Sequence, residues 1–255
     1  MCLILIAIDQ HDEYSIVLAA NRDEFFQRPT APADFWDDTP HILGGRDLSK
    51  GGGWLGVSRQ GRWCAVTNFR DGRQETPAGP SRGSLVSRFL AGNLEPSEFA
   101  AGLDADGPRA GYNLVMGNST SSGYASNRGA PFTTLSTGVY GLSNHLLDTP
   151  WRKVQRGKIL LRHALNASGD GLRTRLFRIL SDRTPAADDE LPDTGVGLER
   201  ERMLSPAFIH APGYGTRCST VLLVGRAGDI FFEERAFNEQ QDPLPVRRFA
   251  FRTQP

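Results

Sequence analysis

A cysteine at position 2 and a charged segment of sequence NRDE at 21–24 carry the most evident chemistry in this chain. Cys2 precedes an apolar run at 3–8, and the NRDE segment follows a second apolar run at 15–20. Two short apolar runs separated by a polar stretch predict a β-hairpin. This hairpin would bring the charged segment beside Cys2. Because the first run is apolar at both odd and even positions, it predicts a strand covered on both faces.

The position of Cys2 suits an N-terminal nucleophile. Methionine is commonly removed before a small residue, and loss of Met1 would leave Cys2 with a free α-amine. Such an amine titrates near about 7.7–8.0 and a thiol near about 8.5, so the amine could take the proton of its own residue's thiol. Arg22 would favour the thiolate. The alternative is that Cys2 is a small apolar residue at the start of a buried strand.

Polar residues at the ends of other predicted strands suggest the remaining parts of an acyl-transfer site. Asn68 and Asn144 end predicted strands, and Arg217 begins one. Acyl transfer needs a nucleophile, a base and donors for the developing oxyanion, although such residues also form ordinary turns and surface pairs. The predicted catalytic residues are Cys2, Arg22, Asp23, Asn68, Asn144 and Arg217, and the predicted ligand-binding residues are Asn21, Glu24, Trp54 and His145.

Other motifs point away from metal and nucleotide chemistry. The five histidines show no metal-ligand spacing, so no metal site is predicted. Residues 51–56 match GxGxxG, but the match leads into a predicted strand instead of a helix, which argues against a dinucleotide site. The glycines at 51–53 instead predict a close approach of the backbone to a packed strand or a ligand.

Hydrophobic periodicity and turn residues predict an α+β protein. The helices are grouped in the middle of the chain and the strands form antiparallel hairpins, which predicts sheet layers flanked by helices. Strands are predicted at 63–68, 112–117, 123–126, 139–144, 216–224 and 229–234, helices at 84–91, 96–103, 151–165 and 172–180, and loops at 25–39 and 185–197.

Length and composition predict a single domain over residues 1–255. The 29 basic and 29 acidic residues balance, so neither nucleic acid nor an anionic membrane is an expected partner. No apolar run approaches the ~18 residues of a membrane helix, and no membrane insertion is expected. Three unpaired cysteines without a secretory signal predict a reducing compartment, the cytoplasm. The expected partner is a small-molecule ligand or substrate, and the composition indicates no oligomeric state.

Short motifs are spread along nearly the whole chain. They are Met1-Cys2, NRDE at 21–24, GGRD at 44–47, GWLG at 53–56, VTN at 66–68, GLSN at 141–144, TPW at 149–151 and YGTR at 214–217. In these motifs the chain resembles the NRDE family, the relatives of transport and Golgi organisation protein 2. That resemblance implies the four-layer αββα fold of N-terminal-nucleophile hydrolases and a distant similarity to choloylglycine and penicillin V hydrolases, which cut amide bonds with an N-terminal cysteine. By resemblance, Cys2 would be the nucleophile, Asn68 and Asn144 would order the oxyanion site, and Arg217 would lie near the nucleophile.

The resemblance leaves three functions open. Those hydrolases carry an arginine and, three residues later, an aspartate after their second strand, whereas this chain has Asn21 and Glu24 there, with Arg22 and Asp23 between them. One expectation is a Cys2 hydrolase of an amide or thioester bond in a small acyl compound, with no cofactor required. Because the family is linked to haem trafficking and to lipid or acyl-CoA metabolism, an alternative is a non-catalytic carrier of haem, acyl-CoA or lipid in the same cleft. The third is a structural adaptor.

Overall fold

Two seven-stranded antiparallel sheets lie at the centre of the protein. The structure is a computed structural model that describes residues 2–74, 79–103, 105 and 107–254. The strands are β1 (Cys2–Ile8), β2 (Tyr14–Phe25), β3 (Thr30–Trp36), β4 (Thr39–Asp47), β5 (Gly53–Ser58), β6 (Trp63–Asn68), β7 (Tyr112–Gly117), β8 (Ser122–Ser126), β9 (Thr133–Thr134), β10 (Gly138–Leu142), β11 (His210–Ala211), β12 (Tyr214–Gly225), β13 (Asp229–Ala236) and β14 (Arg247–Arg252). The helices are α1 (Gly83–Ala91), α2 (Pro96–Ala101), α3 (Arg152–Ala164), α4 (Gly169–Leu180) and α5 (Leu198–Leu204).

The predicted first hairpin lies in the interior of one sheet. That sheet has the order β10-β1-β2-β12-β13-β14, with β11 paired to β12, and the other has the order β3-β4-β5-β6-β7-β8-β9. Strand β1 pairs with β2 on one side and β10 on the other, and residues 3–8 are all buried. The continuous apolar run is therefore explained by burial on both faces.

Alternation along the strands separates three hydrophobic layers. Ile4 and Ile6 of β1 point between the sheets, where they pack with residues such as Leu43 and Val57 of the second sheet. Their neighbours in β1 face the opposite way and pack under α3 and α4 (Leu3, Leu5, Ala7, Val154, Leu161, Leu172, Leu176). A third cluster lies between the second sheet and α1 and α2 (Leu85, Val86, Phe89, Phe99, Leu114). The fold is therefore the predicted αββα sandwich.

The predicted loop at 25–39 is wrong, because Thr30–Trp36 forms β3. Pro32 and the aromatic residues of this segment favoured a loop. However, β3 is the edge strand of its sheet and pairs with β4 through two register shifts. Proline is tolerated in an edge strand because its missing N–H faces no neighbouring strand.

Beyond β3, the longest elements without a counterpart in the sequence-based prediction are β4, α5 and β14. Strand β4 contains the glycine pair at 44–45, a composition that disfavours a strand. Strand β14 reads RRFAFR and alternates between half-buried and exposed residues, which is the pattern of a sheet edge. No helix within the described residues is long and apolar enough to cross a membrane.

Candidate active site

The pairing of β1 with β2 places Cys2 directly opposite Arg22. Both side chains face the space between the sheets, since alternate residues of β1 such as Ile4 also lie there. Cys2 is half-buried and lines a cleft of about 90 Å³. We call this the Cys2 cleft; its walls are Cys2, Arg22, Asp23, Glu24, Arg28, Asp47, Gly53, Trp54, Val66, Asn68, Ser81, Arg82 and Gly83.

The start of β1 is held in place from the neighbouring strand. The hydroxyl of Ser143, which follows β10, donates a 2.9 Å hydrogen bond to the carbonyl oxygen of Cys2. Burial raises the pKa of the Cys2 thiol, while the main-chain N–H of Asp23 and the charge of Arg22 act to lower it. The thiol therefore needs a base that takes its proton before it can act as a nucleophile at neutral pH.

Arg22 is fixed by an aromatic ring and a hydroxyl. Its guanidinium carbon lies 4.2 Å from the centroid of a Trp54 ring, and its Nη1 donates a 3.2 Å hydrogen bond to Thr30. A Cβ atom on Gly45 would lie 2.0 Å from the Trp54 ring, so the glycine at 45 leaves the room that the indole occupies. The arginine is 6 % exposed.

Asp23 is buried beside a hydroxyl and a lysine. Its Oδ1 accepts a 2.7 Å hydrogen bond from Thr216 of β12. Burial raises the pKa of the Asp23 carboxyl, against the opposing effect of the charge on Lys153. Lys153 of α3 is itself buried, its Nζ donates a 2.8 Å hydrogen bond to the Leu204 carbonyl, and burial lowers the pKa of this lysine to about 8. Lys153 was not among the predicted site residues; its charge interrupts an otherwise apolar face of α3.

The two predicted asparagines are joined to each other. The Asn144 amide donates a 3.0 Å hydrogen bond to the carbonyl oxygen of Asn68. Asn68 lines the Cys2 cleft, whereas Asn144 is fully buried behind it. The main-chain N–H of Arg70 in turn donates to the Asn144 carbonyl. Asn144 is therefore placed to hold the end of β6, and Asn68 is placed to contact a ligand.

Asn21 is not brought to the cleft. It pairs with Leu3 in the hairpin register and faces the helices. Its amide donates to the carbonyls of Leu180 and Ala207, and Ser219 donates to its side-chain oxygen. Because successive residues of a strand point to opposite faces, Asn21 and Arg22 cannot both face Cys2. Glu24 does line the cleft.

Arg217 lies in the β-bulge between β2 and β12, and it lines a second cavity, of about 320 Å³, instead of the Cys2 cleft. The register shift falls between Thr216 and Cys218, and a bulge re-aims the side chain of the extra residue. The Arg217 guanidinium donates to the carbonyl of Phe25, the last residue of β2, and to that of Arg28 in the following turn.

His145 also lies outside the cleft walls. Its Nδ1 is 2.9 Å from the Thr149 hydroxyl, and its ring packs between Phe69 and Trp151, at centroid distances of 4.8 and 6.0 Å. Burial lowers the pKa of His145. These contacts are those of a structural histidine.

Several walls of the cleft were missed from the sequence. Arg28 and Asp47 form a bidentate pair at one edge, and Arg82 and Gly83 come from the start of α1. The glycine run was the available signal for this last contact. A Cβ atom on Gly52 would lie 2.4 Å from the carbonyl carbon of Gly83, so glycine at 52 lets the 51–53 turn press against the helix start.

Comparison with solved structures shows the fold of an N-terminal-nucleophile hydrolase. The C2A mutant of conjugated bile acid hydrolase from Clostridium perfringens superposes with a TM-score of 0.52, covering 99 % of this chain and 98 % of that one at 9 % identity. The R18L variant of the same hydrolase gives a TM-score of 0.50, with the same coverage and identity. At this identity the likeness is one of fold.

Comparison with known sequences shows the family. A mouse Transport and Golgi organization 2 homolog is 36 % identical over 261 residues, covering 92 % of this chain and 93 % of the mouse protein. The human homolog is 35 % identical over 261 residues and covers 94 % of each chain. The family model described as Transport and Golgi organisation 2 matches residues 1–239. The chain belongs to the Transport and Golgi organisation 2 family.

Proposed function

We propose that this protein hydrolyses an amide or thioester bond of a small acyl compound, with Cys2 as the nucleophile. The observation that carries the proposal is the placement of the Cys2 thiol opposite Arg22 in a cleft that Asn68 also lines. A thiol whose pKa is raised needs a base and a nearby cation to react as a thiolate. The cleft supplies the cation, and the α-amine of a chain that begins at Cys2 supplies the base.

The proposed reaction has two steps. The α-amine takes the thiol proton, the sulfur attacks the acyl carbon, and the C–N or C–S bond breaks as the amine or thiol leaves with that proton. The acyl group is then bound to Cys2 as a thioester. Water next attacks the same carbon, its proton passes to the α-amine and on to the sulfur, and the C–S bond to Cys2 breaks to release the acid. The amide of Asn68 and the guanidinium of Arg22 are the donors available for the oxyanion in both steps.

The fold and the position of the cysteine support this chemistry. The bile acid hydrolase of comparable fold was crystallised as the mutant C2A, so both chains have a cysteine at position 2. The proposal depends on removal of Met1, which lies outside the described residues.

The carrier alternative has less support from the geometry. A cleft of about 90 Å³ is below the ~300–1,000 Å³ of typical small-molecule sites, and His145 is held by Thr149 away from the cleft walls. Among the described residues that line the cleft, Cys2 alone has a thiol, and none has an imidazole, that could coordinate the haem iron. These residues do not fit haem.

The test combines mass spectrometry with turnover. The intact mass of the purified protein should show loss of Met1 and one fast adduct with a thiol-reactive acyl probe. Cys2→Ala and Cys2→Ser should abolish both the adduct and the hydrolysis of any compound found in a panel of amides and thioesters, with an unchanged circular dichroism spectrum. Cys64→Ala is the matched control, because Cys64 is buried in a different layer. Retention of Met1 with an unreactive Cys2, or full turnover by Cys2→Ala, would refute the proposal.

A further inference from the structure

Two arginines of the Cys2 cleft have no carboxylate partner among the described residues. The cleft contains three arginines, and Arg28 is paired: its guanidinium lies 2.7 Å from Asp47 and 3.8 Å from Glu24. Arg22 and Arg82 form no ion pair within the described part of the chain. The pairing of Arg28 uses two of the three carboxylates in the cleft walls, and the third, Asp23, is bonded to Thr216.

The unpaired charge of Arg22 is nearly fully buried. The side chain is 6 % exposed, and among the described residues its guanidinium donates one hydrogen bond, to Thr30. A guanidinium has five N–H donors, and a buried charge is costly unless it is paired and hydrogen-bonded. The remaining donors border the cleft, so an anion there would satisfy them.

Arg82 also lines the cleft, immediately before α1. Within the described residues its side chain makes one hydrogen bond, to the Gly111 carbonyl at 3.2 Å. Helix α1 has no acidic residue in its first turn, so the positive end of its dipole is not neutralised by its own side chains. Its first N–H groups are already bonded to Ser81 and Arg82. The helix therefore adds positive potential, and the side chain of Arg82 provides the contact.

We infer that the Cys2 cleft binds an anionic oxygen group, a carboxylate or a phosphate, between Arg22 and Arg82. The inference rests on the proposed function, because the anion would be part of the substrate. The compound cleaved at Cys2 would carry the anionic group close to its acyl carbon, as an N-acyl amino acid does. The small volume of the cleft leaves room for the scissile bond and one such group, so the rest of the acyl chain would extend beyond the cleft.

The alkylation of Cys2 tests anion binding without a known substrate. Iodoacetate is anionic and iodoacetamide is its neutral isostere; in both reactions the sulfur forms a bond to carbon and iodide leaves. The measured quantity is the alkylation rate with iodoacetate divided by the rate with iodoacetamide. At low salt we expect this ratio to be about fivefold to tenfold higher for Cys2 than for the free thiol of glutathione. Arg82→Gln should remove most of this excess. Because the ratio is taken against the iodoacetamide rate of the same variant, any effect of Arg82 on the thiolate fraction cancels. Cys2→Ser identifies the labelled residue.

Arg88→Gln is the matched control, because it removes the same charge from the exposed far end of the same helix. It should keep the wild-type ratio. A wild-type ratio equal to that of glutathione would overturn the inference, and so would an equal loss in Arg82→Gln and Arg88→Gln. The wild-type comparison stands even if Arg82→Gln fails to fold.

Protection of Cys2 separates the two kinds of anion. If the cleft binds a carboxylate, N-acetylglycine should slow the labelling of Cys2 by iodoacetamide and the neutral N-acetylglycinamide should not. If the cleft binds a phosphate, inorganic phosphate should slow that labelling. Protection by neither would overturn the inference. These readouts involve no turnover, so a protein that binds anions but hydrolyses nothing would refute the proposed function and leave the anion site standing.

Discussion

The guanidinium of Arg22 lies over the indole of Trp54, 4.2 Å from the ring centroid, on the strand position directly opposite Cys2. Strand pairing thus fixes the backbone of the arginine, and the ring fixes its side chain. A cation held in this way favours the thiolate without losing orientational freedom when a ligand binds.

Replacement of Arg22 by Gln should slow the reaction of Cys2 with neutral iodoacetamide. Loss of the nearby positive charge raises the pKa of the thiol further, and we expect a fall in rate of about fivefold to tenfold at pH 8. Arg46→Gln is the control, because Arg46 lies 4.6 Å from the Trp36 ring but is paired with Asp38. Equal rates for wild type and Arg22→Gln would show that the arginine does not act on the thiol.

Two adjacent glycines should differ sharply in their tolerance of alanine. Gly51 has φ +73° with open space around its Cβ position, so Gly51→Ala should lower the free energy of unfolding by about 1 kcal/mol through backbone strain. Gly52→Ala would force a Cβ against the backbone of Gly83 and should cost about 3 kcal/mol. Urea denaturation measures both values. Only Gly52→Ala should also alter the iodoacetate preference of Cys2, since it displaces the start of α1.

The buried pair of Arg70 and Glu201 should be a strong link between the end of β6 and α5. Their charged atoms are 2.9 Å apart, and the side chains are 6 % and 3 % exposed. Arg70→Met leaves the Glu201 carboxylate buried without its cation and should destabilise the protein by about 3–5 kcal/mol. A combined Arg70→Met/Glu201→Met variant should recover part of that loss.

The neighbouring pair of Arg73 and Asp193 provides the comparison. It joins the segment after β6 to the loop that precedes α5, and its side chains are 58 % and 83 % exposed. Arg73→Met should therefore cost less than about 1 kcal/mol in a urea titration. Similar losses of unfolding free energy in Arg70→Met and Arg73→Met would contradict the expectation that burial makes the Arg70–Glu201 pair the more important one.

Lys153 should make the stability of the protein depend on pH above neutrality. Its pKa is about 8 in the folded state and 10.5 in the reference state, so between these values the unfolded chain binds the proton more tightly. Stability therefore rises with pH across this window, and below pH 8 the buried charge opposes folding. The difference in unfolding free energy between wild type and Lys153→Met should increase by about 2 kcal/mol from pH 8 to about pH 10. Lys50→Met, at an exposed turn, should show no such change.

Local patterning was enough to predict the hairpin and the meeting of Cys2 with Arg22. The two strands are close in the sequence, both are apolar, and the turn between them is short and polar, so few alternative pairings exist. The alternation of side chains along a strand explains why Asn21 lies outside the Cys2 cleft. Asn21 pairs with Leu3, which faces the helices, and Arg22 pairs with Cys2.

The rest of the cleft depends on contacts between residues far apart in the chain. Arg82 lines the same cleft as Cys2 although α1 packs on the outer face of the second sheet and β1 belongs to the first. Arg217 lies at a bulge in β12 and lines a different cavity. The sequence around Arg82 and around Arg217 does not predict where either side chain lies relative to the cleft. A helix start or a one-residue bulge has the same local sequence pattern at any place in a fold. The sequence by itself determined the residue types, the hairpin and the layered fold. The tertiary structure alone decided which charges face the thiol, because that depends on how layers stack and where a strand is bulged.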